Sequence, residues 1–184
     1  MPARRRSAQV GTLLATLLLA AGCGTTEPEP LTAMPPEVPA DLCALVPEAA
    51  RQGLVANASS DESGNPTAAC SLLSADNAAT EVGAVVTWLQ TNDESSADEV
   101  LASQCQAIDG TKYQVVDGFR ASGADEACAA SGRTDGADSA TIAAVHGLEI
   151  VTVRVTSRPP GAPPALTRAK QMLEGVLSSL AGES

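Results

Sequence analysis

The sequence predicts an α+β fold, an antiparallel sheet packed by helices and stapled by two disulfides, set behind a signal peptide and a disordered tether. Three observations carry that expectation. Residues 81–90 and 140–156 alternate with the period of strands. Residues 165–182 carry apolar side chains at helical spacing. Four cysteines, Cys43, Cys70, Cys105 and Cys128, follow an export signal, and an even number in an exported chain reads as disulfides.

The export signal comes first. Arg4, Arg5 and Arg6 precede an uncharged apolar run over residues 10–21, and small residues lead into Cys23. The run is about 12 residues, against about 20 for a helix that spans a bilayer core. Leu19-Ala20-Ala21-Gly22-Cys23 resembles the bacterial lipobox. That resemblance implies cleavage between Gly22 and Cys23, a diacylglyceryl group on the Cys23 thiol, and further acylation of the new amino terminus, a palmitate-type modification. Two or more chains anchor stably at about 0.8 kcal/mol per buried methylene. The arginines are followed by Ser7-Ala8-Gln9, without the apolar residues of a twin-arginine signal, so general secretion is expected.

The chain then divides into 1–22 (signal), 23–40 (lipidated cysteine and tether) and 41–182 (one globular domain). The tether carries Pro28, Pro30, Pro35, Pro36 and Pro39, a composition for extended polyproline spacing, with Thr25, Thr26 and Thr32 open to glycosylation. Of the 184 residues, 11 are basic and 22 acidic. Loss of the first 22 residues removes three arginines and leaves eight basic against 22 acidic, a net −14. Such a chain is not built for nucleic acid or an anionic lipid surface; the membrane is reached through the lipid on Cys23. One Trp, one Tyr and one Phe leave an aliphatic core to be formed.

Within the domain, Asp41 caps a turn over residues 42–46, and Pro47 starts a helix that Gly53 ends. Residues 57–67, rich in Ser, Asp, Asn and Gly, read as a surface loop. Strands are expected over 68–74 and 81–90. The second has Val82, Ala84, Val86 and Trp88 on one side, with Val85, Thr87 and Leu89 on the other, both covered. Asn92 or Asp93 caps a helix through about residue 107, with Val100, Leu101 and Cys105 inward. A strand over 114–121 leads to a meander of 126–131, a turn over 133–138, 140–146, a tight turn at Gly147, and 148–156. Pro159, Pro160, Pro163 and Pro164 break the sheet before a helix that lines up Leu166, Ala169, Leu173, Val176, Leu177 and Leu180 beside Met172. Four cysteines allow three pairings. Cys43 with Cys70 and Cys105 with Cys128 close short loops between neighbouring elements and are preferred.

The lipobox, the Pro-rich tether, "DLCALVPEAARQGL", "CSL" some 27 residues on, the loop Gly123-Ala124-Asp125-Glu126-Ala127, two late strands and a terminal helix together resemble the small actinobacterial secreted lipoproteins catalogued as a domain of unknown function. The chain has Val46 and Leu72 where members carry Thr and Trp. The resemblance implies a PsbP/Mog1-like fold and transfers no catalytic residue.

Chemistry is sparse. His146 is the one imidazole, and the nucleophile-elbow, Ser-x-x-Lys, His-Glu-x-x-His, phosphate-loop and dinucleotide patterns are missing. No C-x2-C spacing points to zinc, and no cofactor is expected. Asp93, Glu94, Asp98 and Glu99 read as an acidic helix start. Asp135 and Asp138 around Gly136 read as a turn, with calcium as the rival. The expected function is a lipid-anchored, non-enzymatic binding or interaction domain on the extracytoplasmic face of the cell membrane, taking a small ligand or an envelope protein. The alternatives are an accessory or sensor subunit acting through a neighbouring membrane protein, and an enzyme with an atypical carboxylate site.

Overall fold

The computed structural model describes residues 37–51, 53–61, 66–74, 81–110, 112–158 and 163–182. The signal, the Gly22/Cys23 site, most of the tether, Pro159 and Pro160 lie outside the described residues. In chain order the elements are α1 (Leu42–Leu45), α2 (Glu48–Arg51), β1 (Leu54–Asp61), β2 (Thr67–Ser74), β3 (Glu81–Gln90), α3 (Glu94–Asp109), β4 (Gln114–Val115), β5 (Glu126–Thr134), β6 (Ala137–His146), β7 (Glu149–Arg158) and α4 (Ala165–Gly182). The strands form one antiparallel sheet in the order β1-β2-β3-β7-β6-β5-β4. Two meanders, β1-β2-β3 and β4-β5-β6-β7, meet where β3 pairs with β7 in register Val86↔Val153. The α+β class and its antiparallel sheet are as the periodicity predicts.

Turn chemistry sets the second meander. Asp135 and Gly136 adopt φ of 51° and 73° between Thr134 and Ala137, the left-handed pair of a two-residue hairpin turn. Gly147, at φ 56°, opens the equally short turn between His146 and Glu149. The expected turn over 133–138 is therefore two residues long, and Arg133 and Asp138 stay in the ladder.

The front face carries the main core. Leu42, Cys43 and Val46 of the α1 turn and Met172, Leu173, Val176 and Leu177 of α4 bury Cys70 and Leu72 of β2, Val86 and Trp88 of β3, Ile142 of β6 and Val151, Val153 and Val155 of β7. Val46 and Leu72 are both core residues, 1% and 0% exposed. At roughly 1.5–3 kcal/mol for each large side chain, α4 is integral to the fold. It also approaches Pro47 at Gly175 so closely that a Cβ there would overlap the proline ring. On the back face α3 lies over β5, β6 and β7 and buries Ala97, Leu101 and Ile108 against Ala130, Ala143, Val145 and Ile150. With a helix on each side, β6 is buried from Ala137 to Val145.

Each disulfide staples one helical element to one face. Cys43–Cys70 joins α1 to β2 at a Cα separation of 5.0 Å, and Cys105–Cys128 joins α3 to β5 at 5.8 Å. These are the pairings that short loops favour.

Three expectations are corrected. Residues 57–61 are strand and not loop: β1 pairs with β2 from Leu54↔Ser74 to Asp61↔Thr67, because an edge strand needs only one neighbour for its ladder. The strand expected over 114–121 is two residues; from Val116 the chain leaves the sheet and packs Val116, Phe119, Ala121 and Ala124 on the front core. β3 is covered along its front, but on its back only Leu89 meets the α3 cluster, which leaves Val85 41% exposed and Thr87 in solvent. In α3, Leu101, Val100 and Cys105 face inward as expected, Leu101 fully buried and the other two half-buried against the back cluster.

Candidate functional site

Among the described residues, the back face of β1–β3 is covered by no helix. Its residues follow from alternation: Val55, Asn57 and Ser59 on β1 stand beside Leu73, Ser71 and Ala69 on β2, then Gly83, Val85 and Thr87 on β3, then Thr156, Arg154 and Thr152 on β7. The row Ser59–Ala69–Thr87–Thr152 is made of short side chains. The next row toward α3's margin ends in Leu89 and Ile150, and Val100 and Gln104 of α3 rise beside it. A low floor against a helix wall makes a groove.

That groove encloses about 450 Å³ and is lined by Ser59, Ser60, Thr67, Ala68, Ala69, Thr87, Trp88, Leu89, Val100, Gln104, Ile150 and Thr152. The volume lies within the roughly 300–1,000 Å³ of small-molecule sites. The hydroxyls of Ser59, Thr67, Thr87 and Thr152 and the Gln104 amide supply donors and acceptors, the aliphatic residues supply apolar surface, and none of the twelve carries a charge. In a chain with 22 acidic residues, a lining that holds no carboxylate among the described residues is a selective feature. Farther along the same face, Val55 and Leu73 are each 62% exposed. They are register partners on β1 and β2, and Leu73 lies over Gly83.

A second polar group sits at the front. Trp88 Nε1 donates to Glu149 Oε1 at 3.1 Å, and His146 is the register partner of Glu149. Burial pushes the Glu149 carboxyl above its ordinary range, while the Trp88 hydrogen bond and the His146 charge pull it back. Trp88 and Glu149 satisfy each other at the rim of the core, with His146 beside them in the ladder.

The other titratable candidates have structural jobs. Asp93 caps α3, accepting from Ser96 N at 2.8 Å and from Ser96 Oγ at 3.0 Å, and the backbone hydrogen bond holds its carboxyl below the usual range. Glu94, Asp98 and Glu99 point to solvent on α3. Asp138 is buried and accepts from Ala165 N at 2.8 Å, which caps α4 and turns its carboxylate away from any turn-bound cation. Asp125 of the Gly123–Ala127 loop accepts from Gly147 N at 2.8 Å and latches that loop to the β6–β7 turn. Glu174 on α4 accepts from Ser122 N at 2.8 Å and faces Lys170 at 3.7 Å, holding the same loop to the helix. Among the described residues no three His, Cys, Asp or Glu side chains converge as metal ligands. Among them, too, no helix is long and apolar enough to cross a membrane.

The groove was not read from the sequence because one wall belongs to β1, whose Ala-Asn-Ala-Ser-Ser run looks like a loop. The signal available was the break in β3, where Thr87 interrupts the apolar residues on the Val85–Leu89 side. Compared with protein-family models, curated proteins and solved structures, the chain matches none.

Proposed function

We propose that this chain is a lipid-anchored cell-envelope protein, held through Cys23 on the extracytoplasmic face of the membrane, whose domain binds a neutral amphiphilic ligand without transforming it. The observation that carries the binding reading is the uncharged, hydroxyl-rich groove of about 450 Å³ on the open half of the sheet. The anchoring reading rests on the lipobox-like residues that end at Cys23. The two-meander sheet with helices on both faces is read, on the strength of the family resemblance, as PsbP/Mog1-like.

The Trp88 indole is buried on the opposite face of the sheet, so occupancy is read from the backbone amide resonances of the floor residues Ala69, Thr87 and Thr152. Octyl glucoside below its micelle-forming concentration is a neutral hydroxylated probe. It is expected to shift the Thr87 and Thr152 amide resonances saturably in the wild type and not in Ala69→Leu, which fills the floor. Identical, non-saturating responses in both would exclude the groove as a site. Cys23→Ala is expected to abolish membrane partitioning and the mass added by lipid; unchanged partitioning and mass would remove the anchor. A second reading, a subunit that contacts a neighbouring membrane protein, is favoured by the exposed Val55–Leu73 pair. Crosslinking from that pair in cells separates the two.

A further inference from the structure

Beyond a ligand for the groove, and independent of it, the outer edge of β1 is an interaction surface. β1 is eight residues long, pairs only with β2 among the described residues, and keeps a continuous register from Leu54↔Ser74 to Asp61↔Thr67 without a bulge. It has no proline, no lysine and no charge before Asp61, the usual devices that blunt an edge. The opposite edge of the sheet, by contrast, ends in a strand of two residues. Three of the exposed large aliphatics, Val55, Leu73 and Val85, lie on the back face within three strands of this edge.

We infer that β1 pairs antiparallel with β1 of a second copy of this chain, about a two-fold axis through Asn57, to make one sheet continuous across both copies. A two-fold normal to the sheet keeps back face with back face, so residues pair only within one alternation class. Two registers use most of the strand. Centring on Ala58 would set Asp61 opposite the partner's Val55. Centring on Asn57 sets Asp61 opposite the partner's Gly53, Ala56 opposite the partner's Ala58, and Ser59 opposite the partner's Val55, with no like charges facing. Each register pairs seven residues of β1, and the second is preferred because it keeps Asp61 clear of the partner's Val55.

That register also accounts for the exposed apolar pair. The floor row Thr152–Thr87–Ala69–Ser59 of one groove continues into the partner's Val55 and then the partner's Leu73. Residues that stand in solvent on a single copy become the far bank of the other copy's groove, and the second copy repeats the contact. An unrelated extended segment would pair with the edge but has no reason to match this row.

Residues opposite one another in an antiparallel pair have Cα atoms about 4.5–5.5 Å apart, within the reach of a disulfide. In the full chain, Asn57→Cys is expected to give a covalent species of twice the mass under mild oxidation, several-fold above an Asp98→Cys control on α3. Asn57→Lys sets like charges on the axis, and the full chain in detergent is then expected to fall from dimer to monomer by sedimentation. Asn57→Glu does the same alone, and mixing it with Asn57→Lys restores the dimer. Both substitutions sit at an exposed position, and circular dichroism checks that each folds. Crosslinking no better than the control, a wild-type monomer, or an Asn57→Cys product of a mass other than two chains would each overturn the two-fold. The last would assign the edge to a different protein.

Discussion

On the front of the sheet, α1, α2, α4 and the 116–125 loop bury Leu72, Val86, Ile142 and Val153 completely; on the back, α3 covers β5–β7 and leaves Val55, Leu73 and Val85 in solvent. The two faces share every backbone hydrogen bond of the ladder, so the difference lies in the side chains and in what was laid over them. A sheet sealed on one side can leave part of its other side open without losing its core. Stability is thus concentrated at the front, and the open half of the back is available for recognition.

The disulfides test that division most strongly, because each belongs to one face. Their sequence separations, 27 and 23, predict nearly equal chain-entropy contributions of about 3.5 kcal/mol. Cys43 and Cys70 are 3% and 0% exposed, whereas Cys105 and Cys128 are half-buried. Replacing the first pair by alanine is therefore expected to cost more in denaturant unfolding than replacing the second. Equal losses would mean that the faces contribute alike.

Leu173→Ala comes next. Leu173 is fully buried under α4, and the cavity left there is expected to cost about 3 kcal/mol. An equivalent loss on the back requires Leu101→Ala, where the thinner cluster should collapse further and the cost should be smaller. A larger loss at Leu101 would reverse the comparison.

How much of this was legible follows the same division. β2, β3, β5, β6, β7, α3 and α4 were visible in residue type and period because each has at least one buried face that enforces alternation. Both cysteine pairings were visible because each loop closes between sequence neighbours. β1 was not, because beyond Leu54 every described side chain in it is exposed, so selection for a buried face leaves no period to read. The groove was lost with it. Asp138 was read as part of a turn, since its role as the cap of α4 depends on a contact 27 residues away. Residues 116–121 looked like strand because Val116 and Phe119 are apolar, but their burial comes from lying across the front core.

On the open half, a change that would be severe at the front should be nearly silent. Leu73→Ser is expected to alter stability by less than about 0.5 kcal/mol, measured by the same unfolding titration. A loss of the size expected for Leu173 would show that the back of β2 is packed in solution.

The smallest effects come from two carboxylates, one on each face, whose shifts have opposite signs. Asp93, exposed at the start of α3, is held below its ordinary 3.8 by the Ser96 backbone hydrogen bond. Its contribution is present above that ordinary value and is lost as pH falls through the lowered one, so Asp93→Ala should lower the melting temperature at neutral pH and converge with the wild type in acid. Glu149, half-buried beside Trp88, is raised above its ordinary 4.5 chiefly by burial. The folded protein therefore holds this proton more tightly than the unfolded chain. Its contribution is complete below 4.5 and is lost as pH rises through the raised value. Glu149→Gln keeps an oxygen for the Trp88 Nε1 proton while removing the buried charge. It should match the wild type in acid and exceed it at neutral pH by less than about 0.5 kcal/mol, because solvent screens a half-exposed group. Melting curves across that pH range would show the two variants departing from the wild type in opposite directions. A common direction would mean that the His146 charge outweighs burial, and that this rim of the front core is wetter than its packing implies.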